Sequence, residues 1–262
     1  MRNELLAVAG APEEQAEEAS LRPRRLHEFV GQSQLREHLE ILLEAARRRG
    51  DPVDHLLFAG PPGLGKTTVA GIVAQELGVP LRITSGPALE RGGDLASVLT
   101  NLEEGDVLFI DEIHRLPRVV EEFIYPAMED FRVDIVIGDG LNARTISMPL
   151  KHFTLIGATT RSGMLSGPMR DRFKMHEHLD FYTIDELAEI VQVNAQKLKT
   201  KVVPEAAREL ARRSRGTPRV ANARLWWARN FATSEADGEV TLPIVHRALE
   251  MSEVDTEGLD KQ

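Results

Sequence analysis

The feature that most constrains this chain is an eight-residue stretch, Gly60-Pro61-Pro62-Gly63-Leu64-Gly65-Lys66-Thr67, which fits the pattern G-x-x-x-x-G-K-[ST]. It follows a short apolar run, His55-Leu56-Leu57-Phe58-Ala59, and precedes a helical stretch that reaches Leu77. In that setting the glycines let backbone N–H groups curl around phosphate oxygens, and the helix N-terminus adds partial positive charge. Lys66 is expected to reach the β- and γ-phosphates and the Thr67 hydroxyl to hold Mg2+. The nucleotide set read from this stretch is Gly63, Leu64, Gly65, Lys66, Thr67 and Thr68, with ATP and Mg2+ as cofactors.

The rest of the chain supplies the sheet such a loop needs. Further apolar runs at 80–84, 107–110 and 153–157 alternate with helical segments. Continuous apolar strands separated by helices predict a parallel sheet buried on both faces, an α/β fold. Upstream, Leu35, Leu39, Leu42, Leu43 and Ala46 recur at helical spacing after Ser33, which reads as an N-cap. Arg47-Arg48-Arg49 and then Gly50 supply a cationic last turn and a stop. One segment has a period of two: Val133, Ile135 and Ile137 on one side, Thr145-Ile146-Ser147-Met148 on the other, with Asp139-Gly140 between. It predicts an inserted β-hairpin whose loop, 138–143, is longer than two residues. From Asp185 onward every apolar pattern suits helices, so a small all-helical domain is expected. The expected organisation is a flexible leader over 1–19, a large domain over 20–183 and a helical domain over 184–262.

Composition excludes several classes. With 41 acidic and 32 basic residues the net charge is −9, so the chain as a whole is no electrostatic sleeve for a phosphate backbone. The absence of cysteine excludes disulfides, thiolate metal sites and cysteine nucleophiles. No apolar run approaches the ~18 residues of a membrane span, and the N-terminus lacks a signal-peptide pattern, so the expected location is the cytoplasm.

Val107-Leu108-Phe109-Ile110-Asp111-Glu112 ends an apolar strand in two carboxylates. Ligands of open α/β sheets sit at the carboxyl ends of the strands, beside the phosphate loop. Asp111 is therefore expected to bind Mg2+ and Glu112 to polarise the attacking water. His114 is read as a packing or subunit-contact residue rather than a direct participant. Arg170 and Arg172 flank Asp171; spacing alone leaves open a surface ion-pair network.

Taken together, the text resembles the RuvB family of Holliday-junction branch-migration ATPases. The resemblance is carried by LRPRRLHEFVGQ at 21–32, HLLFAGPPGLGKTT at 55–68, SGPALE at 85–90 and GDLASVLTNLEEGDVLFIDEIHRL at 93–116. It continues through YPAMEDFRVDIVIG at 125–138, FTLIGATTR at 153–161 and RRSRGTPRVAN at 212–222. It implies an AAA+ P-loop NTPase large domain followed by a small helical domain, with ATP hydrolysed between subunits of a hexameric ring around DNA. By the same resemblance, Leu21, Arg22 and Tyr182 would flank the base or ribose, and Glu129, Asp130 and Phe131 would line the nucleotide site. Thr160 would be sensor 1, Arg219 sensor 2, and Arg172 the arginine finger inserted into the neighbouring subunit's site. The hairpin at 133–148 would dock onto the junction-binding partner RuvA, with the resolvase RuvC engaged indirectly.

The text also departs from the family. Members usually continue into a winged-helix DNA-binding domain, and the chain stops at Gln262, which implies a weakened direct grip on DNA. Phe173-Lys174-Met175-His176 replaces the usual Phe-Gly-Ile-like text, and a lysine for glycine is expected to disturb a tight turn. Ala223-Arg224-Leu225-Trp226-Trp227 stands where the family has a leucine- and arginine-rich helix, which puts DNA or subunit contacts on that face in question. The alternatives to a branch-migration motor are another AAA+ remodeller, such as a clamp-loader subunit, and a nucleotide-binding assembly module with little turnover.

Overall fold

The computed structural model describes residues 20–137 and 144–259. The expected leader at 1–19 and the expected hairpin loop at 138–143 lie outside the described residues. The chain divides into two compact units, one running Arg24–Asp180 and the other made of the described residues up to Pro23 with those from Phe181 onward.

The first unit is a parallel five-stranded sheet in the order β2-β3-β6-β1-β7, with helices packed on it and a separate hairpin. Its strands are β1 (Leu56–Ala59), β2 (Leu81–Ser85), β3 (Val107–Asp111), β6 (Thr154–Thr159) and β7 (Met175–His178). The hairpin is β4 (Arg132–Ile137) paired antiparallel with β5 (Arg144–Pro149). β6 is buried at every residue and β3 at every residue but its last, as expected of central strands covered on both faces. Phe58, Phe109 and Phe153 are among the largest fully buried side chains, and truncating one to alanine costs about 3–5 kcal/mol by the usual transfer and cavity terms. Gly157 in β6 is closely packed: a Cβ there would stand 3.0 Å from side-chain atoms of both Ile113 and Phe173, which would have to shift to admit it.

Two local features differ from expectation. The sheet has an edge strand, β7, in Met-His-Glu-His, where apolarity alone gives no strand signal; it pairs with β1 from Leu56↔Met175 to Ala59↔His178. An edge strand alternates half-buried and exposed residues and so carries no apolar run. Helix α1 (Ser33–Arg49) has Gln32 at its N-cap position, without a side-chain capping bond, and Ser33 already inside it. Gln32 adopts a left-handed conformation and spends its amide elsewhere, donating to Asp180 O at 2.6 Å and accepting from Asp180 N at 3.1 Å. The expected stop at Gly50 is present, with φ 71°.

The remaining helices of this unit are α2 (Lys66–Leu77), α3 (Gly92–Thr100), α4 (Arg118–Glu129) and the one-turn α5 (Gly167–Arg170). Lys174 does not disturb its turn. It is absent from the residues with positive φ, and its N–H donates to His55 O at 3.0 Å. The backbone there asks for nothing that only glycine can supply.

The second unit is helical: α6 (Ile184–Lys197), α7 (Pro204–Arg212), α8 (Pro218–Glu235) and α9 (Leu242–Met251), with a β-bridge between Val202 and Val240. Thr183 caps α6, its hydroxyl accepting from Glu186 N while Glu186 returns a bond to Thr183 N. The 223–227 segment lies on α8 and mostly faces its own unit. Leu225 is fully buried, Arg224 donates to Gly258 O at 2.9 Å, and Trp227 Nε1 donates to Ala248 O of α9 at 2.7 Å. Only Trp226 of the aromatic pair is among the exposed large apolar residues. Among the described residues no helix is long and apolar enough to cross a membrane.

Candidate functional site

Strand order decides which predicted residues meet. The phosphate loop follows β1, Thr160 follows β6 and Asp111 ends β3, and these three strands are consecutive neighbours in the sheet. Their carboxyl ends therefore present the loop, the threonine and the acidic pair side by side.

In the loop Gly60, Gly63 and Gly65 have φ of 138°, 80° and 103°, conformations that side chains resist. At Gly60 a Cβ would lie 2.4 Å from Leu179 O, so the loop can leave β1 only through glycine. Gly65 is the N-cap of α2, and Lys66, Thr67 and Thr68 form its first turn, where N–H groups have no intrahelical partner. Leu64 is fully buried, so its side chain anchors the loop and only its backbone faces outward chemistry. Lys66 is also buried, with its ammonium donating to Gly60 O and Pro61 O, each at 2.8 Å. Burial pushes its pKa down, while the carboxylates of Asp111 and Glu112 act in the opposite direction.

Glu112 sits in a left-handed conformation, φ 48°, unusual for a residue with a side chain. Its carbonyl passes so close to Gly86 that a Cβ on Gly86 would be 2.4 Å from it, which explains the glycine in the Ser-Gly-Pro segment. Asp111 Oδ1 accepts from Glu112 N at 2.9 Å. The Glu112 carboxylate lies 3.4 Å from the Thr160 hydroxyl through both oxygens and 3.3 Å from His114 Nε2. The other nitrogen of His114 is 2.9 Å from the Thr159 hydroxyl, which in turn accepts from Arg161 N at 2.9 Å. The imidazole is 2% exposed. His114 is thus the residue whose placement the sequence understated: it packs, as expected, but it packs against the carboxylate. The signal available was its position two residues after Glu112 on a tight 3-10 turn.

Four predicted residues lie elsewhere in this unit. Glu129, Asp130 and Phe131 do not line the unit's own phosphate loop. Phe131 stacks on His152 with centroids 4.2 Å apart and meets Phe153 edge-on, while His55 Nε2 bonds Met128 O at 3.1 Å. His55 and Phe153 immediately precede β1 and β6, so this cluster marks the amino-terminal edge of the sheet. The physical reason is that α4 runs back across the sheet after β3. Arg172 belongs to the same edge, three residues before β7, and pairs with Glu129 at 3.0 Å.

The last four predicted residues are in the helical unit. Leu21 is buried and accepts from Lys197 Nζ at 3.0 Å; Arg22 is exposed. Tyr182 is buried and donates through its N–H to Gly216 O at 2.9 Å, and Arg219 is exposed in the first turn of α8.

Among the described residues no group of three or more His, Asp or Glu side chains could enclose a metal unaided. A hydroxyl and a carboxylate, Thr67 and Asp111, are hard oxygen donors of the kind Mg2+ takes alongside phosphates and water.

Residues 21–179 match the family described as the Holliday junction DNA helicase RuvB P-loop domain, and residues 182–255 match the RuvB AAA lid domain. The chain is 56% identical over 257 residues to the Holliday junction branch migration complex subunit RuvB of a Nocardioides species, covering 98% of this chain and 71% of that protein. It is equally similar to the protein of that name from a Parafrankia species, of which it covers 73%. Among solved structures, the Thermotoga maritima RuvB Holliday junction branch migration motor is 47% identical, with a TM-score of 0.83, over 92% of this chain and 76% of that one.

Proposed function

The chain belongs to the RuvB family, Holliday junction branch-migration motors built on a P-loop ATPase domain, and from that premise we propose how its residues divide the work. It binds nucleotide in the loop after β1. The backbone of Gly63 to Thr68 and the Lys66 ammonium take the phosphates, exchanging the two carbonyls that now hold Lys66 for phosphate oxygens. Thr67 and Asp111 hold Mg2+, which supplies charge neutralisation at the β- and γ-phosphates. Glu112 orients and polarises the attacking water, and Thr160 holds either that water or the γ-phosphate. Leu21, Arg22 and Tyr182 receive the base and ribose, and Arg219 carries the state of the phosphates to the helical unit.

Arg172 acts in trans. β1 alone spans about 13 Å at the usual rise per residue, more than an arginine side chain reaches, and Arg172 lies at the edge opposite the unit's own phosphate loop. That separation is the observation that most supports hydrolysis at a subunit boundary. Glu129, Asp130 and Phe131, on the same edge, serve the neighbouring subunit's nucleotide with it. The assembly is a hexameric ring around DNA in the cytoplasm, reached through RuvA at the 133–148 hairpin and, indirectly, by RuvC. Ile146 and Met148 on β5 are exposed and offer the hairpin an apolar face.

The test is ATPase rate against protein concentration, for the native chain and for Arg172→Ala, with and without duplex DNA. A rate per subunit that rises with concentration and falls by about 10³-fold or more in the variant supports a shared site. A concentration-independent rate indifferent to Arg172→Ala refutes it.

A further inference from the structure

Arg172 is held in position within its own subunit. Its Cζ lies 3.9 Å from the centroid of the Tyr125 ring. Nη1 donates to Pro168 O at 2.6 Å and Nη2 pairs with Glu129 Oε1 at 3.0 Å. The side chain is only 20% exposed, and cation–π attraction strengthens as water is withdrawn.

The aromatic platform is itself anchored. The Tyr125 hydroxyl donates to Glu121 Oε1, and the same oxygen receives the hydroxyl of Ser166. Ser166 Oγ meanwhile accepts from Met169 N at 3.1 Å and so caps α5, the one-turn helix that ends two residues before Arg172. One carboxylate oxygen thus ties the ring beneath the guanidinium to the helix from which Arg172 hangs. Burial and the bond to Glu121 push the Tyr125 phenol up, which keeps it a neutral donor to that carboxylate.

We propose that Tyr125 is a positioning residue for Arg172: its ring face holds the guanidinium, and its hydroxyl, through Glu121 and Ser166, holds the ring in register with α5. The proposal rests on Arg172 being the group given to the neighbouring subunit. On engagement the pair with Glu129 is the contact that yields, because that carboxylate is 55% exposed and its attraction is screened. The ring contact belongs to a side chain that is largely withdrawn from water, is screened less, and stays. The guanidinium therefore turns about a fixed platform instead of searching freely, which conserves the orientation that transition-state neutralisation needs.

Mixing two disabled chains tests this. One carries Arg172→Ala and keeps its own phosphate loop; the other carries Lys66→Ala and keeps Arg172. Activity restored on mixing comes from Arg172 of the second acting on the first. Tyr125→Leu is then placed in one partner at a time. In the partner that supplies Arg172 it is expected to lower kcat about tenfold with KM unchanged. In the other partner the loss is expected to stay below about twofold, the range of a position that touches no transition-state contact of that site. Tyr125→Phe in the supplying partner keeps the ring face and retains most of the rate. Equal loss in either partner, or no loss, overturns the positioning role. A mixture that restores no activity overturns the reading of Arg172 on which it rests.

Discussion

His114 stands between Glu112 and Thr159, with one imidazole nitrogen 3.3 Å from the carboxylate and the other 2.9 Å from the hydroxyl. Glu112 has a left-handed backbone, and its carboxylate is flanked by the Thr160 hydroxyl at 3.4 Å and the buried His114 imidazole at 3.3 Å, so the imidazole is one of its two lateral supports. Replacing His114 by alanine is expected to lower kcat about tenfold, a fraction of what a general base contributes, and to leave nucleotide affinity within about twofold. Steady-state ATPase rates beside equilibrium binding of a fluorescent nucleotide separate the two quantities. A change in affinity alone would assign His114 to binding.

Gly60→Ala sets a methyl group 2.4 Å from the carbonyl of Leu179 at a φ of 138°. The strained conformation by itself costs about 1–3 kcal/mol, and the clash adds to it by forcing the loop off β7. The melting temperature and nucleotide affinity should fall together. An unchanged affinity would show that the loop tolerates another path out of β1.

Lys174→Gly restores the residue that the family pattern favours, yet the backbone does not call for it. Because Lys174 is exposed and outside the left-handed region, the glycine is expected to destabilise by about 0.5–1 kcal/mol through the entropy of the unfolded chain. Urea unfolding measures it, and a stabilised variant would mean the lysine carries strain.

In the helical unit the Glu209 carboxylate receives two bonds from Arg212 at 2.9 Å and one from Arg213 at 2.6 Å. These guanidinium groups hold its pKa down at about 2. A depressed carboxylate contributes stability that is complete above the unfolded value of about 4.3 and is lost as pH falls through the folded value. Glu209→Gln should therefore lower the urea midpoint at pH 7, and the difference from the native chain should shrink between about pH 4.3 and 2. A difference that does not change with pH would place the effect in packing.

Much of the site was legible because phosphate chemistry dictates residue types over short stretches. Gly60 to Thr67 and Asp111-Glu112 each carry their meaning locally, since a loop that turns at glycines or a strand that ends in carboxylates needs no distant partner to be recognised. β7 was not legible, because an edge strand buried on one flank only has no apolar run to betray it. Gln32 rather than Ser33 holds the N-cap position of α1 without a side-chain capping bond, its amide being committed to Asp180, a partner 148 residues away.

By itself, then, the sequence determined the nucleotide loop, the acidic strand, the hairpin and the family, all of which reside in contiguous text. Tertiary structure alone decided that Glu129 to Phe131 and Arg172 share the edge opposite the phosphate loop, and that His114 abuts Glu112. It also decided that Tyr125 lies under Arg172. Those relationships depend on strand order and on the direction in which α4 returns across the sheet, and a through-space arrangement of that kind has no periodicity along the chain.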